Sequence, residues 1–344
     1  MKLLVVKTSS LGDVIHTLPA VTEVRQHFPD AVIDWVVEEA FVDIPALHPA
    51  VSRIIPVAIR RWRQDWLGSF RSDEIKTFLR SLQEETYDLV IDAQGLIKSA
   101  LITRLAHGER CGFDAGSSRE SLASLLYDRR ISVMKNQHAI DRVRALFSGI
   151  LGYKVSGPDN YAISIRHNDP VSHQVMFLHG STWPSKLWPE ENWRNLARLA
   201  DRDGFRVLLP AGNEKERSRA ERIASTTGSA EVLPPMGLKD LALQLSACRG
   251  AVSVDTGPGH LAAALDIPLV ALYGPTDPAL TGMRGRYRLI SSGDHLPCIP
   301  CRKRICKFSV NDYSSKIYPP CFSEITPEVT WQTLRVQIEK AFPE

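Results

Sequence analysis

Short runs of consecutive apolar residues alternate along the chain with longer segments in which apolar positions recur every three or four residues. The first run is Leu3-Leu4-Val5-Val6, followed by the polar loop Thr8-Ser9-Ser10-Leu11-Gly12-Asp13 and a helical period over 14–28. A run apolar at every position fits a strand covered on both faces, as in a parallel sheet. Runs at 31–37, 53–59 and 88–92 predict the next strands, with helices over 72–85 and 97–107. A second series follows, with strands at 175–178, 205–209, 231–233, 251–254 and 269–273. Helices are predicted between them over 190–203, 214–225, 238–247 and 259–265, and 327–341 closes the chain as a helix with Pro327 in its first turn. Strands alternating with helices predict an α/β fold.

The segments 154–160 and 166–170 are polar and turn-rich, which suits a connection between domains. The expected organisation is 1–160 as one Rossmann-like domain, 161–325 as a second facing it across a central cleft, and 326–344 as a closing helix that packs back on the first. A length of 344 residues agrees with two domains. At 44% hydrophobic and 24% charged the chain is globular and not disordered. No stretch approaches the ~18 apolar residues of a membrane span, and the opening run is too short for a signal peptide. A cytoplasmic protein is expected. The net charge of +3 is too small for bulk nucleic-acid binding, although Arg60-Arg61-Trp62-Arg63 concentrates positive charge locally.

Ligands of parallel sheets sit at the carboxyl ends of strands, where the next helix offers free N–H groups and a positive dipole. Ser9, Ser10 and Gly12 occupy such a loop, with Asp13 at the helix start; a plain helix cap accounts for the same residues. The spacing is not the G-x-G-x-x-G of dinucleotide binding, which disfavours a dehydrogenase. A matching loop, Asp255-Thr256-Gly257-Pro258-Gly259-His260, follows the strand at 251–254. Its backbone can cradle a phosphate, or form no more than a tight turn. Lys186, after another strand end, can neutralise a diphosphate or be a solvated loop lysine.

These segments resemble the lipopolysaccharide heptosyltransferases. The resemblance rests on Lys7-Thr8-Ser9-Ser10-Leu11-Gly12-Asp13-Val14-Ile15-His16, on the segments around Trp35–Glu39, Ile55–Arg63 and Ile91–Ala100, and on His179–Trp188, Ser253–His260 and Tyr273–Pro278. Within the family it is greatest to the members acting first in the series. It implies a glycosyltransferase-B fold and an inverting, metal-independent transfer of L-glycero-D-manno-heptose from ADP-heptose. The acceptor it implies is the 3-deoxy-octulosonic acid (Kdo) of Kdo-lipid A, at the cytoplasmic face of the inner membrane, with peripheral membrane contact and a monomeric enzyme. Asp13 then matches the general base. Ser181, Thr182, Lys186, Glu216, Met236, Asp255, Thr256, Gly257 and His260 match donor contacts, with Lys186 also aiding departure of ADP and Glu214 an alternative to Glu216. Ser10, Arg60, Arg61, Arg63, Lys98, Arg119 and His138 would hold the anionic acceptor. Trp62 and Trp66 suit a surface near headgroups or ordinary packing equally well. His16 reads as helix packing.

A later member of the series with a heptose acceptor, a nucleotide-sugar epimerase and a binding module without catalysis are the rival readings. The cysteines Cys298, Cys301, Cys306 and Cys321 stand apart. Their spacing can supply four thiolates to a structural zinc or leave four reduced thiols, and neither takes part in transfer.

Overall fold

The computed structural model describes residues 1–64, 73–163, 165, 172–286, 288–292, 296–308 and 317–343. Trp66 and the segment 166–170 lie outside them. The chain divides into two compact units, Met1–Ser164 and Ile165–Glu344.

The first unit carries strands β1 (Lys2–Val6), β2 (Val32–Glu38), β3 (Val51–Val57), β4 (Thr86–Asp92), β5 (His107–Phe113) and β6 (Arg129–Ile131), in the order β3-β2-β1-β4-β5-β6. All pairs are parallel. Val5 at the centre is paired with Trp35 on one side and Ile91 on the other. Leu3 to Val6 have no solvent exposure, as their unbroken apolar run requires.

The second unit repeats this plan. Its strands are β7 (Ser172–Leu178), β8 (Arg206–Leu209), β9 (Ala230–Val232), β10 (Cys248–Val254), β11 (Leu269–Tyr273) and β12 (Arg288–Ser292), in the order β12-β11-β10-β7-β8-β9. Counted from the unit's own first strand, this is the doubly wound order of the first unit. In both, the chain reverses direction across the sheet between the first and fourth strands. That switch point opens a crevice at the carboxyl edge, where open α/β sheets bind ligands.

Several expectations change. The helix foreseen over 14–28 is two, Leu11–Ile15 and Leu18–His27. Pro19 lacks the N–H that a continuous ladder needs, so it sits in the first turn of a new helix. Strands β5 and β6 and the helix Ala139–Leu151 were not anticipated, and β12 was likewise missed. Strand β5 reads His-Gly-Glu-Arg-Cys-Gly-Phe, without an apolar run. Its Gly112 lies where a Cβ would meet the Tyr127 ring at 2.4 Å, so only glycine fits beneath that ring. The closing helix Pro327–Ala341 packs within the second unit, against the helix Glu190–Arg202 and β10. Trp331, Leu334 and Ile338 join that unit's core, where the sequence had suggested the first. Trp188 and Trp193 are fully buried in the same core, 5.1 Å apart edge to face.

Candidate active site

The loop leaving β1 is built around Asp13. Ser10 N-caps the helix Leu11–Ile15, and Asp13, at its third position, accepts from the Ser10 backbone N–H at 3.1 Å and the Ser10 hydroxyl at 2.8 Å, both on Oδ2. The cap and the chemical reading therefore describe one side chain. Its other oxygen accepts from Arg119 and lies 4.0 Å from Lys7 Nζ.

Lys7 ends the buried strand, and its ammonium donates to the Ala93 carbonyl beyond β4 at 2.8 Å. Trp35 fixes its backbone by donating to the Lys7 carbonyl. From β4, buried Asp92 accepts from the Gln94 and Gly95 amides and from the Tyr127 hydroxyl. That turn aims Gln94 at the β1 loop, where its Oε1 accepts from the Thr8 backbone and hydroxyl at 2.8 Å each. The amide's orientation is thereby set, and its Nε2, buried, has no hydrogen-bond partner. Lys7, Asp13, His16, Gln94, Ser117, Arg119 and Arg142 line one recess at the switch point.

Arg142 arrives from the helix Ala139–Leu151, which Arg144 locks by an ion pair with Glu23 at 2.7 Å. It donates to the Ser117 carbonyl and lies 5.3 Å over the Phe113 ring. Three cations thus face one carboxylate. Burial alone would raise the Asp13 pKa, but Lys7 and Arg119, with His16 and the Ser10 hydroxyl, hold it well below the ordinary carboxylate range. Burial lowers Lys7 to about 8, against the pull of Asp13.

Of the other residues expected to hold an acceptor, Lys98 donates to Ser9 Oγ at 3.4 Å, beside the same loop. His138 is buried, caps its helix by accepting from the Ile140 N–H, and lies 5.4 Å from the His16 ring. His16, read as packing, lines the recess. Arg60, Arg61 and Arg63 ride the short helix Ile59–Gln64 after β3, tied to the β1 loop through Glu38. The Glu38 amide donates to the Thr8 carbonyl, and its carboxylate accepts from the Arg60 amide. Arg60 and Arg63 are exposed, with Arg60 over the Phe41 ring. Arg61 is occupied by Glu39 at 3.0 Å and Glu74 at 2.8 Å. Trp62 is half-buried: it donates to Glu74 and packs edge-on against Phe78, the packing alternative for this residue.

The second unit builds its cluster at the equivalent switch point, from the loops after β7 and β10. Lys186 pairs with Asp255 at 2.6 Å, and Asp255 also accepts from the Thr276 hydroxyl at 2.7 Å and lies 3.6 Å from His260 Nε2. Burial opposes ionisation of Asp255, but His260 and Lys186 more than offset it and hold the pKa well below the ordinary range. Lys186 also lies 4.8 Å over the Trp183 ring. Thr256, next to Asp255, holds the N-cap position of the helix Gly257–Ala264, so the positive end of that helix lies beside the cluster. Ser181 accepts from the Trp183 N–H, and Thr182 beside it is exposed. Glu216 accepts from the Gly212 amide, and a Cβ on Gly180 would sit 2.7 Å from its carboxyl carbon. Glu214 is exposed on the outer side of that turn. Met236 is half-buried in the loop after β9.

The tail fastens this cluster. The Ser185 hydroxyl and amide donate to the Lys303 and Arg304 carbonyls, and the Arg302 amide donates to the Pro275 carbonyl. The backbone at 302–304 therefore holds both the Lys186 turn and the loop bearing Thr276. Cys298, Cys301, Cys306 and Cys321 line one apolar cavity under it. Burial, reinforced by the neighbouring thiols, pushes Cys321 up to about 12. Among the described residues no group of three or more His, Cys, Asp or Glu is arranged to hold a metal ion, and the four thiols are not joined by disulfides.

The sequence pattern of Glycosyltransferase family 9 (heptosyltransferase) matches residues 75–311. The chain belongs to this family. Among family 9 relatives, it is 45% identical to lipopolysaccharide heptosyltransferase 1 of Pseudomonas aeruginosa over 339 residues, 95% of each chain. It is 49% identical to lipopolysaccharide heptosyltransferase 1 of Escherichia coli K12, over 84% of this chain and 93% of that one. Its fold matches the E. coli heptosyltransferase WaaC with ADP at a TM-score of 0.80 and 47% identity, covering 84% and 92% of the two chains. WaaC with ADP-2-deoxy-2-fluoro heptose matches at 0.78 and 46%, covering 85% and 93%. The α/β architecture and the family membership expected from the motifs are both confirmed. Lys7, Gln94, Ser117 and Arg142 were not singled out from the sequence. The signal available for Lys7 was a lysine ending an otherwise apolar strand.

Proposed function

We propose that this family 9 enzyme transfers heptose from ADP-heptose to the Kdo of Kdo-lipid A, with inversion at the anomeric carbon. The observation that carries the reading is Asp13: an ionised carboxylate at the first unit's switch point, set among cations suited to an acidic acceptor. Support for the donor comes from the relatives named above and from the solved WaaC complexes with ADP and a fluorinated ADP-heptose.

In this reading the first unit holds the acceptor. Lys7, Arg119, Arg142 and the Gln94 amide receive its negative charge, and Arg60 and Arg63 extend the basic surface. Asp13 takes the proton of the attacking hydroxyl as its oxygen bonds to the anomeric carbon. The bond from that carbon to the diphosphate breaks on the opposite face, and ADP leaves with the electron pair. Engagement of Arg119 by the acceptor withdraws a positive charge from Asp13 and makes the carboxylate a better base. The second unit holds the donor. Lys186, oriented by Asp255, and the N-terminus of the helix Gly257–Ala264 meet the growing charge of the diphosphate. Glu216, Met236, Ser181 and Thr182 surround the nucleotide sugar.

The test is ADP release from ADP-heptose with and without Kdo-bearing lipid. Acceptor-dependent release with a heptosylated product supports the reading. Conversion of the donor alone points to an epimerase, and neither outcome to a binding module; a strict requirement for an already heptosylated acceptor points to a later step of the series.

A further inference from the structure

Large apolar side chains are exposed singly on most proteins, and such exposure needs no explanation. Here five of them fall on two short neighbouring segments of the first unit. On the helix Ile97–Leu105, Ile97, Leu101 and Leu105 are 39%, 51% and 45% exposed. Spaced at i, i+4 and i+8, they form one stripe. On the turn Ser121–Leu126, Leu122 and Leu125 are 62% and 67% exposed. The segments pack on each other through Ala100, Ala123 and Tyr127, leaving the larger side chains outside that seam.

The charge pattern around them is one-sided. The stretches 97–105, 121–126 and 129–135 contain Lys98, Arg104, Arg129, Arg130 and Lys135 and no acidic residue. The four carboxylates between them are engaged: Glu120 accepts from the Ile97 amide, Asp114 from the Ser117 amide, Asp128 from Arg110, and Glu109 pairs with Arg129. The stripe also begins at the site, since Lys98 in its first turn donates to Ser9.

We propose that this face is where the protein docks on an anionic lipid surface, its leucines entering among the acyl chains and its arginines meeting the phosphates. A second copy of the chain fits poorly, because a two-fold contact would set these cations against their own equivalents. A bilayer offers the matching charge and an apolar layer together. The proposal deepens the reading of the acceptor as lipid-linked and rests on it for its purpose: the helix that carries the stripe outward starts beside Asp13.

Flotation of the full chain, without substrates, with vesicles of equal parts phosphatidylglycerol and phosphatidylethanolamine decides it, with phosphatidylcholine vesicles as the neutral comparison. The wild type is expected to float with the anionic vesicles. Leu101→Ser/Leu122→Ser/Leu125→Ser and, separately, Arg104→Gln/Arg130→Gln are expected to lower the partition at least about tenfold. Both variants should transfer heptose to an acyl-free Kdo acceptor at the wild-type rate, which reports an intact fold. Wild-type protein left at the bottom of the gradient, or a leucine variant floating as well as the wild type, overturns the proposal. So does a leucine variant that converts a dimer to a monomer in sedimentation. Loss of transfer to the acyl-free acceptor by the wild type would instead refute the functional reading, and flotation would still decide this one.

Discussion

The two units place an aspartate and a lysine at the same topological position and use them differently. At the second switch point Asp255 has 7% of its side chain exposed and is closed in by Lys186, Thr276 and His260. Each of its oxygens has a partner within the cluster, so its role is to aim Lys186. At the first, Asp13 keeps 16% exposure, and its lysine stands 4.0 Å away, donating instead to a backbone carbonyl. There the cations outnumber the carboxylate, and the Gln94 amide has donors to spare. A fold that offers one ligand crevice per sheet has thus given one crevice a balanced charge cluster and the other an excess of positive charge around a single carboxylate.

The sharpest way to break this contrast is Asp13→Asn. Asparagine keeps an oxygen for Ser10, so the helix cap should survive, while turnover falls by about 10²–10⁴, the usual cost of a lost general base. Asp255→Asn should act on a different observable. It leaves the Lys186 ammonium without its charged partner, and the second unit should lose about 2 kcal/mol, read as a Tm lower by several degrees together with weaker ADP binding. Gln94→Glu retains the oxygen that accepts from Thr8 but turns a donor into a charge; acceptor KM should rise about tenfold, with ADP affinity unchanged in a calorimetric titration.

The pH dependence sharpens the same point. Lys7 titrates at about 8 in the folded protein against 10.5 for an ordinary lysine. Between those values the unfolded chain binds the extra proton, so Lys7 makes stability rise with pH across that window and contributes no slope below it. Acceptor KM should climb as the ammonium is lost above about pH 8, and Lys7→Gln should flatten that limb. The smallest effect belongs to Arg61→Ala. Arg61 is half-exposed and satisfied by Glu39 and Glu74, and surface ion pairs of this kind add little to stability, so Tm and acceptor KM should both stay near the wild-type values.

What the sequence discloses follows the visibility of its strands. The first, fourth and fifth strands of the second series and the first strand of the chain are apolar runs entering small-residue loops, and they led directly to Asp13, Lys186 and Asp255. Gln94 and Arg142 were hidden for a related reason. Gln94 owes its position to the Asp92 turn, and Arg142 to a helix that follows two polar strands, β5 and β6, which carry no periodic signal. Glu214 and Glu216 share the first turn of one helix on opposite sides, and the sequence does not say which side faces the loop after β7; the close approach of the Glu216 carboxylate to Gly180 does. For Trp62, beside three arginines, surface and packing stayed equally open because the sequence does not reveal Glu74 and Phe78 as its partners. The cysteine spacing suits a metal ligand set and four reduced thiols alike; what the sequence does not show is that the four side chains gather on one apolar cavity.

The claim that the two switch points divide base and donor is tested most directly by single-turnover transfer measured beside donor titration, on Asp13→Asn and Lys186→Ala together. The account predicts that Asp13→Asn binds ADP-heptose like the wild type and transfers it about 10²–10⁴ times more slowly, whereas Lys186→Ala loses donor affinity and rate together. An Asp13→Asn enzyme that folds and transfers at the wild-type rate, or two variants that lose donor affinity alike, would contradict it.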